Sequence, residues 1–339
     1  MLLQRPSENV TLADTFESYL EGVVRGYDGS SPVYEMIRYH FGYGAQANAK
    51  RGKRLRAQLL LRVAVEEGAP PACALDAAVA IEVLHNYSLV HDDIEDGDEL
   101  RHGRTTVWSK FGVAHGINAG DSLCAISYLS LLANAANLPS ERVATMTRTL
   151  HEANLEMCAG QGMDISFESA ERVRMADYAA MINGKTAALF AASCELGALA
   201  AGASVDRARD YGRLGRAYGL AFQIRDDVLG TWGATDVTGK PSGADIARRK
   251  WSFPVVWALG TPPSADRDVV AHAYARNARL DPAGVVEVIA ALDRLGARDA
   301  ADDAHDRALD DADKLASEAA IDVNRTIRDF LAQGARRVA

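Results

Sequence analysis

Apolar residues recur at helical spacing along most of the chain, and alternating runs bounded by turn residues are scarce. The spacing predicts helices over about 10–25, 53–67, 72–97, 115–137, 139–162, 174–200 and 204–229. A Gly/Thr/Pro-containing loop is expected over about 231–242, with helices resuming near 243–259, 264–276, 282–296 and 299–335. Pro70-Pro71, Pro139 and Pro262-Pro263 punctuate the pattern at these breaks. No internal repeat or low-complexity linker interrupts it. Several helices are apolar nearly all round, which places them at the centre of a bundle. The pattern therefore predicts one all-α domain over residues 1–339, with its helices packed around a central cavity.

Composition narrows the function. With 48% hydrophobic residues the chain can bury a large core. A net charge of −9 argues against a general nucleic-acid binder, though a local basic cluster can still hold a small anion. Cys73, Cys124, Cys158 and Cys194 form no C-x-x-C pair, so no zinc or redox motif is read, and each is expected to be a small buried hydrophobe. The opening MLLQRPSENV has no apolar run of signal-peptide length, and no uninterrupted apolar stretch reaches about 18 residues. No membrane span is implied, and a soluble cytoplasmic protein is expected. The acidic ARDAADDAHDRALDDADKLASEAA stretch reads as a solvated helix face.

The segment EVLHNYSLVHDDIEDGDELRHGR carries the strongest chemical signal. An apolar helix with Ile81, Val83, Leu84, Leu89 and Val90 runs directly into Asp92, Asp93 and Asp96. Positions four apart share a helix face, so Asp92 and Asp96 project together, with Asp93 about 100° round. Like charges so spaced repel, and acids at a helix C-terminus oppose its dipole. A solvated helix end would tolerate this; a hard divalent cation completed by substrate phosphate would explain it.

A second apolar helix, through Tyr218, Leu220, Phe222 and Ile224, ends in Asp226-Asp227. Gly239-Lys240, Asp245 and Lys250 follow. Two acidic helix ends with lysines between them suggest a site for a metal-bound polyphosphate, the lysines acting as point charges on phosphate oxygens. KRGKRLR, from Lys50 to Arg56, is either an exposed helix start or a metal-free anion site. Lys185 lies in the apolar NGKTAALFAASCELGALA, where it either snorkels to solvent or points into a polar cavity.

In order along the chain stand GKRLR, HNYSLVHDDIED, RHGR, GQGMD, KTAALF, GLAFQIRDDVLG, GK and SFPVVWAL. This combination resembles the trans-polyprenyl diphosphate synthases, of the class I isoprenoid synthase fold, over nearly the whole chain. The resemblance implies head-to-tail condensation of an allylic diphosphate with isopentenyl diphosphate, three Mg²⁺ ions and a homodimer. By that resemblance Asp92 and Asp96 bind two of the ions with support from Asp93. Asp226 binds the third, helped by Asp227 and, through water, by Asp245. Arg101, Lys185, Thr186, Gln223, Lys240 and Lys250 match positions that grip the allylic diphosphate. Gly52, Lys53, Arg56 and His85 match the isopentenyl diphosphate pocket.

The chain departs from the family pattern in places. A third acid often follows the first of the second motif by four residues; here that position is Gly230. The usual arginine pair after the first motif is Arg101-His102, and a neutral imidazole binds diphosphate less well than a guanidinium. Ala57 and Thr105 stand where proline is common, which looks like a backbone change of little chemical consequence.

The helix before Asp92 is expected to line a tunnel for the growing tail. Tyr87, with Ser88 and Leu84 beside it, resembles the floor of C20 synthases when the motif lacks an insertion. Two other readings keep the fold. A class I terpene cyclase would need an Asn/Ser/Glu metal motif that is not evident, and would leave Lys53 and Arg56 without a purpose. A non-catalytic subunit of a heteromeric synthase would typically have lost its aspartates, which are intact here.

Overall fold

A computed structural model describes residues 11–43, 52–234, 242–275 and 279–322. Helix dominates it, as the pattern predicts, and the residues divide into two compact units.

The first unit takes residues 1–150 and 196–208. It contains α1 (Leu12–Gly26), α2 (Pro32–Phe41), α3 (Leu55–Glu66), α4 (Leu75–Glu95), α5 (Val107–Phe111) and α6 (Val113–Leu132). Thr11 and Asp14 form a capping box that starts α1, and Phe16, Leu20 and Val24 bury its inner face. The unit is built on α4 against α6. Ala77, Ala78, Val79, Ala80, Ile81, Val83 and Leu84 of α4 are all fully buried. Small residues on α6 let the two helices approach closely. A Cβ at Gly116 would lie 2.9 Å from Ile94 Cδ1, and Ser127 Oγ donates to the Ala80 carbonyl at 2.7 Å. Pro71–Glu95 is long and apolar enough to cross a membrane by composition, but 61% of its apolar window is buried in the fold. It is the core helix of this unit.

The second unit takes residues 151–195 and 209–339. Its helices are α8 (Met175–Ile182), α11 (Ala244–Arg248), α12 (Phe253–Gly260), α13 (Ala265–Tyr274), α14 (Pro282–Leu295) and α15 (Ala297–Glu318). The helices α7 (Ser140–Phe167), α9 (Ala188–Ala200) and α10 (Val205–Trp232) contribute residues to both units. The second core gathers Tyr178, Val228, Ile246, Trp251, Phe253, Val255, Val256, Val288 and Leu292. Its α12 is buried on nearly every side, which explains its almost unbroken apolar sequence. The acidic α15 does present a solvated face, and its expected continuation to 335 lies outside the described residues beyond 322.

Several boundaries differ from the sequence expectation. The helix expected over 53–67 begins at Leu55, because Arg54 adopts a left-handed backbone, φ 52°, to pair its side chain inward. The helix expected over 243–259 breaks at Arg249, φ 58°, and restarts at Phe253 with Pro254 in its first turn. Within 174–200, residues Asn183–Ala187 form a π turn between α8 and α9. The expected 72–97 helix starts with a 3₁₀ turn over Pro71–Ala74 and ends at Glu95. Helix α2 is not in the sequence reading, although Pro32 at its start and Gly42, φ 78°, at its end are ordinary stop signals. A short hairpin, β1 (Leu100–Arg101) with β2 (Arg104–Thr105), is also new. It turns through His102, φ 52°, and Gly103, φ 79°, as a two-residue hairpin turn requires. The expectation of four buried cysteines holds for Cys194 alone. Cys73 and Cys124 are half-buried, and Cys158 is exposed because it falls on the outer stripe of α7.

Candidate active site

The first acidic cluster closes α4. Asp96 caps the helix in a right-handed conformation, its N–H donating to the Asp92 carbonyl at 2.8 Å. The last turn is therefore unbroken, and Asp92 and Asp96 keep the shared face that their spacing predicts. Asp92 is half-buried and Asp96 exposed. Asp93 points the other way and is 2% exposed. Arg101 donates to its Oδ1 from Nε and Nη2, both at 2.8 Å. Burial pushes the Asp93 carboxyl up to about 6 despite the guanidinium beside it. Asp93 thus fastens the β1–β2 hairpin to the helix end. His102 sits exposed at the tip of that hairpin, while Arg101 and Arg104 are half-buried.

A basic pocket adjoins this helix in the same unit. Arg56 Nη1 lies 3.1 Å from His85 Nε2. Burial, then the charges of Arg56, Arg101 and Arg54, hold His85 well below the usual imidazole range. Guanidinium charges therefore lie near a neutral imidazole here, Arg56 in direct contact with it. Behind it His40 Nε2 pairs with Asn86 Oδ1 at 2.9 Å, and burial takes His40 down to about 3. Arg54 is spent on support: its guanidinium bonds Glu82 and Glu17, each at 3.1 Å, and covers the Phe41 ring. Glu82 can be buried because Arg54 and Asn86 both donate to its Oε1. Lys53 is exposed and Gly52 half-buried, while Lys50 lies outside the described residues. Leu84 is fully buried, Ser88 Oγ bonds its own helix at the His85 carbonyl, 2.8 Å, and the Tyr87 ring stands edge-on to His91.

The second acidic cluster lies on α10. Its two aspartates are in opposite environments: Asp226 is exposed and Asp227 is 1% exposed. Asp227 accepts from Tyr178 Oη at 2.6 Å, the Phe253 N–H at 2.8 Å and Gln223 Nε2 at 2.9 Å. Burial lifts it to about 6 against the pull of Lys250 and these donors. Thr186 Oγ1 in turn donates to Gln223 Oε1 at 2.6 Å. Thr186, Gln223 and Asp227 therefore form one relay that ties the π turn to α10. Lys185, on that π turn, pairs with Asp164 Oδ2 at 2.5 Å and is 23% exposed, so it does not extend freely into solvent. Rare π turns concentrate at functional sites because they re-aim one side chain without ending the helix.

Two glycines allow this. A Cβ on Gly160 of α7 would overlap the Lys185 backbone nitrogen, and one on Gly184 would lie 2.6 Å from the Glu156 carbonyl oxygen. Asp164 is a candidate site residue that the sequence reading did not single out, although it is the acid of the GQGMD stretch.

Lys250 follows the break after α11, its N–H donating to the Asp245 carbonyl at 2.9 Å. Burial opposes its charge, but Asp245, Asp227, Asp164 and Asp226 outweigh burial and hold its ammonium above the ordinary lysine range. Asp245 also accounts for Gly230. A Cβ at position 230 would fall on the Asp245 carboxylate. Asp245, from α11, thus occupies the space that a side chain four residues after Asp226 would take. Residues 235–241, Lys240 among them, lie outside the described residues.

Among the described residues no three carboxylates or imidazoles converge as a ready-made metal cage. The donors available, Asp92 with Asp96 and Asp226 with Asp245, are hard carboxylate oxygens supplied singly or in pairs. That set suits Mg²⁺, which commonly takes one or two carboxylates and completes its shell with water and substrate phosphate.

Residues 41–292 match the family model described as polyprenyl synthetase. The chain is 40% identical over 240 residues to the (2E,6E)-farnesyl diphosphate synthase of Mycobacterium tuberculosis (strain ATCC 25618 / H37Rv), which covers 70% of this chain and 66% of that one. It is also 40% identical over 245 residues to the geranylgeranyl diphosphate synthase of the same strain, 71% of this chain and 69% of that one. The match thus spans about two thirds of the length of these relatives. The crystal structure of a polyprenyl synthetase from Streptomyces coelicolor A3(2) superposes with a TM-score of 0.84 at 33% identity, covering 96% of this chain and 97% of that one. The expected family and all-α isoprenoid synthase fold are borne out, and the chain belongs to the polyprenyl synthetase family.

Proposed function

We propose that this protein is a Mg²⁺-dependent prenyltransferase that condenses an allylic diphosphate with isopentenyl diphosphate, head to tail. The product is a longer trans-polyprenyl diphosphate, about C20, geranylgeranyl diphosphate. The observation that carries this reading is the family membership of a chain that keeps both aspartate pairs, with lysines at the second.

The residues divide the work. Asp92 and Asp96 would hold two Mg²⁺ ions and Asp226 a third, with Asp245 assisting through water. These ions supply electrostatic stabilisation to the departing diphosphate. Lys185, Lys240, Lys250 and Arg101 add positive charge to the same leaving group, with Thr186 and Gln223 as polar contacts. Asp93 positions Arg101, and Asp227 positions Gln223 and the start of α12. As the allylic C–O bond breaks, the electron pair leaves with diphosphate and a delocalised cation remains. The double bond of isopentenyl diphosphate then forms the new C–C bond. Gly52, Lys53, Arg56 and His85 hold its diphosphate, with His102 at the hairpin tip, and this proximity replaces a bimolecular encounter. Diphosphate takes the proton lost, so no protein base is needed, and the attacking double bond makes a protein nucleophile unnecessary. Water would trap the cation, so the site must exclude it during the cycle.

Leu84, Tyr87 and Ser88 line the start of the tail tunnel, Tyr87 serving as its floor. The whole chain works as one synthase domain in the cytoplasm, without a membrane span or a nucleic-acid partner. A homodimer fits the outward apolar side chains of α6, Val113, Ile117, Leu129 and Leu132.

Purified protein with Mg²⁺, isopentenyl diphosphate and each of the C5, C10 and C15 allylic diphosphates should release diphosphate and yield a C20 product. Chelation by EDTA or Asp92→Ala should abolish it. Diphosphate release without isopentenyl diphosphate would identify a cyclase, and no turnover with any partner would identify a non-catalytic subunit.

A further inference from the structure

Tyr87, the proposed floor, packs against a neighbour on its own helix. Tyr87 and His91 lie one turn apart on α4, their ring centroids 4.9 Å apart at 69°, edge to face. The His91 ring rests in turn on the bare backbone of α6. A Cβ built on Gly120 would overlap its Nε2 and Cδ2 atoms, and Nε2 lies 3.3 Å from the Ile117 carbonyl oxygen. Asp121 on the same α6 turn reaches to 3.7 Å from that nitrogen. Gly120 itself is buried and helical, so no left-handed backbone demands glycine there. What excludes a side chain at 120 is the imidazole.

We propose that Gly120 and His91 are length-determining residues: the missing side chain at 120 seats His91, and His91 fixes the Tyr87 ring that limits the product. This rests on the chain-elongation reading above. Ordinary carbon contacts are about 3.5–4.0 Å, so a methyl group at 120 displaces the imidazole by about 1 Å or more. The imidazole is displaced away from α6, and its contact with the Tyr87 ring passes the shift on. Gly120→Ala therefore pushes the floor inward and shortens the product. His91→Ala removes the ring, lets Tyr87 turn into the vacated space, and lengthens it. In the double variant the new methyl group occupies the space the imidazole left, so the product returns toward the parent length.

The test is product chain length by mass spectrometry for the parent, both single variants and the double variant. Thermal unfolding is followed in parallel, and rates are recorded for the first condensation on the C5 substrate. His91 neighbours Asp92, so length rather than rate is the readout. The expected result is a shift of at least one five-carbon unit in opposite directions for the two single variants, with partial restoration in the double. Folded variants that all give the parent length would overturn the proposal while leaving the elongation reading intact. If Gly120→Ala does not fold, His91→Ala alone decides it, and an unchanged length refutes it. A parent that makes no prenyl diphosphate with any allylic substrate would overturn both.

Discussion

Two adjacent aspartates on α10 should fail in opposite ways when removed. Asp227→Ala strips the acceptor from Tyr178 Oη, the Phe253 N–H and Gln223 Nε2, at 2.6, 2.8 and 2.9 Å. Hydrogen bonds to a charged group contribute about 1.5–3 kcal/mol each, so the three together amount to roughly 4.5–9 kcal/mol. Against this, burial lifts the Asp227 carboxyl to about 6. Burying an ionised carboxylate costs several kcal/mol, taken as about 3 kcal/mol, and that cost vanishes with the side chain. The net loss is therefore about 2–6 kcal/mol, a large part of the 5–15 kcal/mol typical of a folded protein. With a urea slope of about 3 kcal/mol/M, the unfolding midpoint should fall by roughly 1–2 M. Asp227→Asn keeps one acceptor oxygen but turns an amide toward the remaining donors, so its midpoint should lie between. Asp226→Ala removes an exposed side chain and should change stability by no more than about 0.5 kcal/mol, while eliminating turnover. The assay is urea denaturation followed by circular dichroism, with diphosphate release measured on the same preparations. A loss below about 1 kcal/mol for Asp227→Ala, or an equal loss for Asp226→Ala, would refute this division of roles.

Other perturbations follow from the same geometry. Gly230→Asp places an acid where the family resemblance leads one to expect one, yet its Cβ would fall on the Asp245 carboxylate. Diphosphate release should drop by about tenfold or more, the cost of roughly 1.4 kcal/mol of misplacement, rather than rise. His40 is held neutral with its pKa near 3, below the 6.5 of a free imidazole, so the folded state binds fewer protons than the unfolded. Its contribution to stability is complete above about pH 6.5 and is lost as pH falls toward 3, at up to about 1.36 kcal/mol per unit. His40→Gln should flatten the stability profile below pH 6.5, measured as urea midpoint against pH; an unchanged slope would show that His40 is charged in the folded protein.

Most of the fold and part of the site were legible in the sequence. The 3.6-residue recurrence of apolar positions located nearly all of the long helices, because each buries a stripe against neighbours. Asp92 and Asp96 were legible as a pair, since a shared helix face follows from spacing four. The same rule could not tell Asp226 from Asp227. Which of two neighbours turns inward depends on the Tyr178 and Phe253 donors, and these come from segments 49 and 26 positions away. Asp164 escaped notice for the same reason, its partner Lys185 lying 21 residues on.

Local backbone sense was also hidden where a side chain was drawn out of the helical path. Arg54 leaves the α3 pattern to reach Glu17 and Glu82, and Arg249 breaks what reads as a continuous helix. Gly230 shows the division most clearly. From the sequence it is a missing acid. In the folded unit it is the space that Asp245 fills, brought from α11 across the intervening loop. The sequence alone determined the helical class, through short-range periodicity, and it carried the family through the resemblance of its ordered motifs and the chemical identity of the donors as residue types. Only the tertiary structure decided which donors are buried as supports and which glycines are spaces for another residue's side chain, because burial and close approach are made by segments distant along the chain.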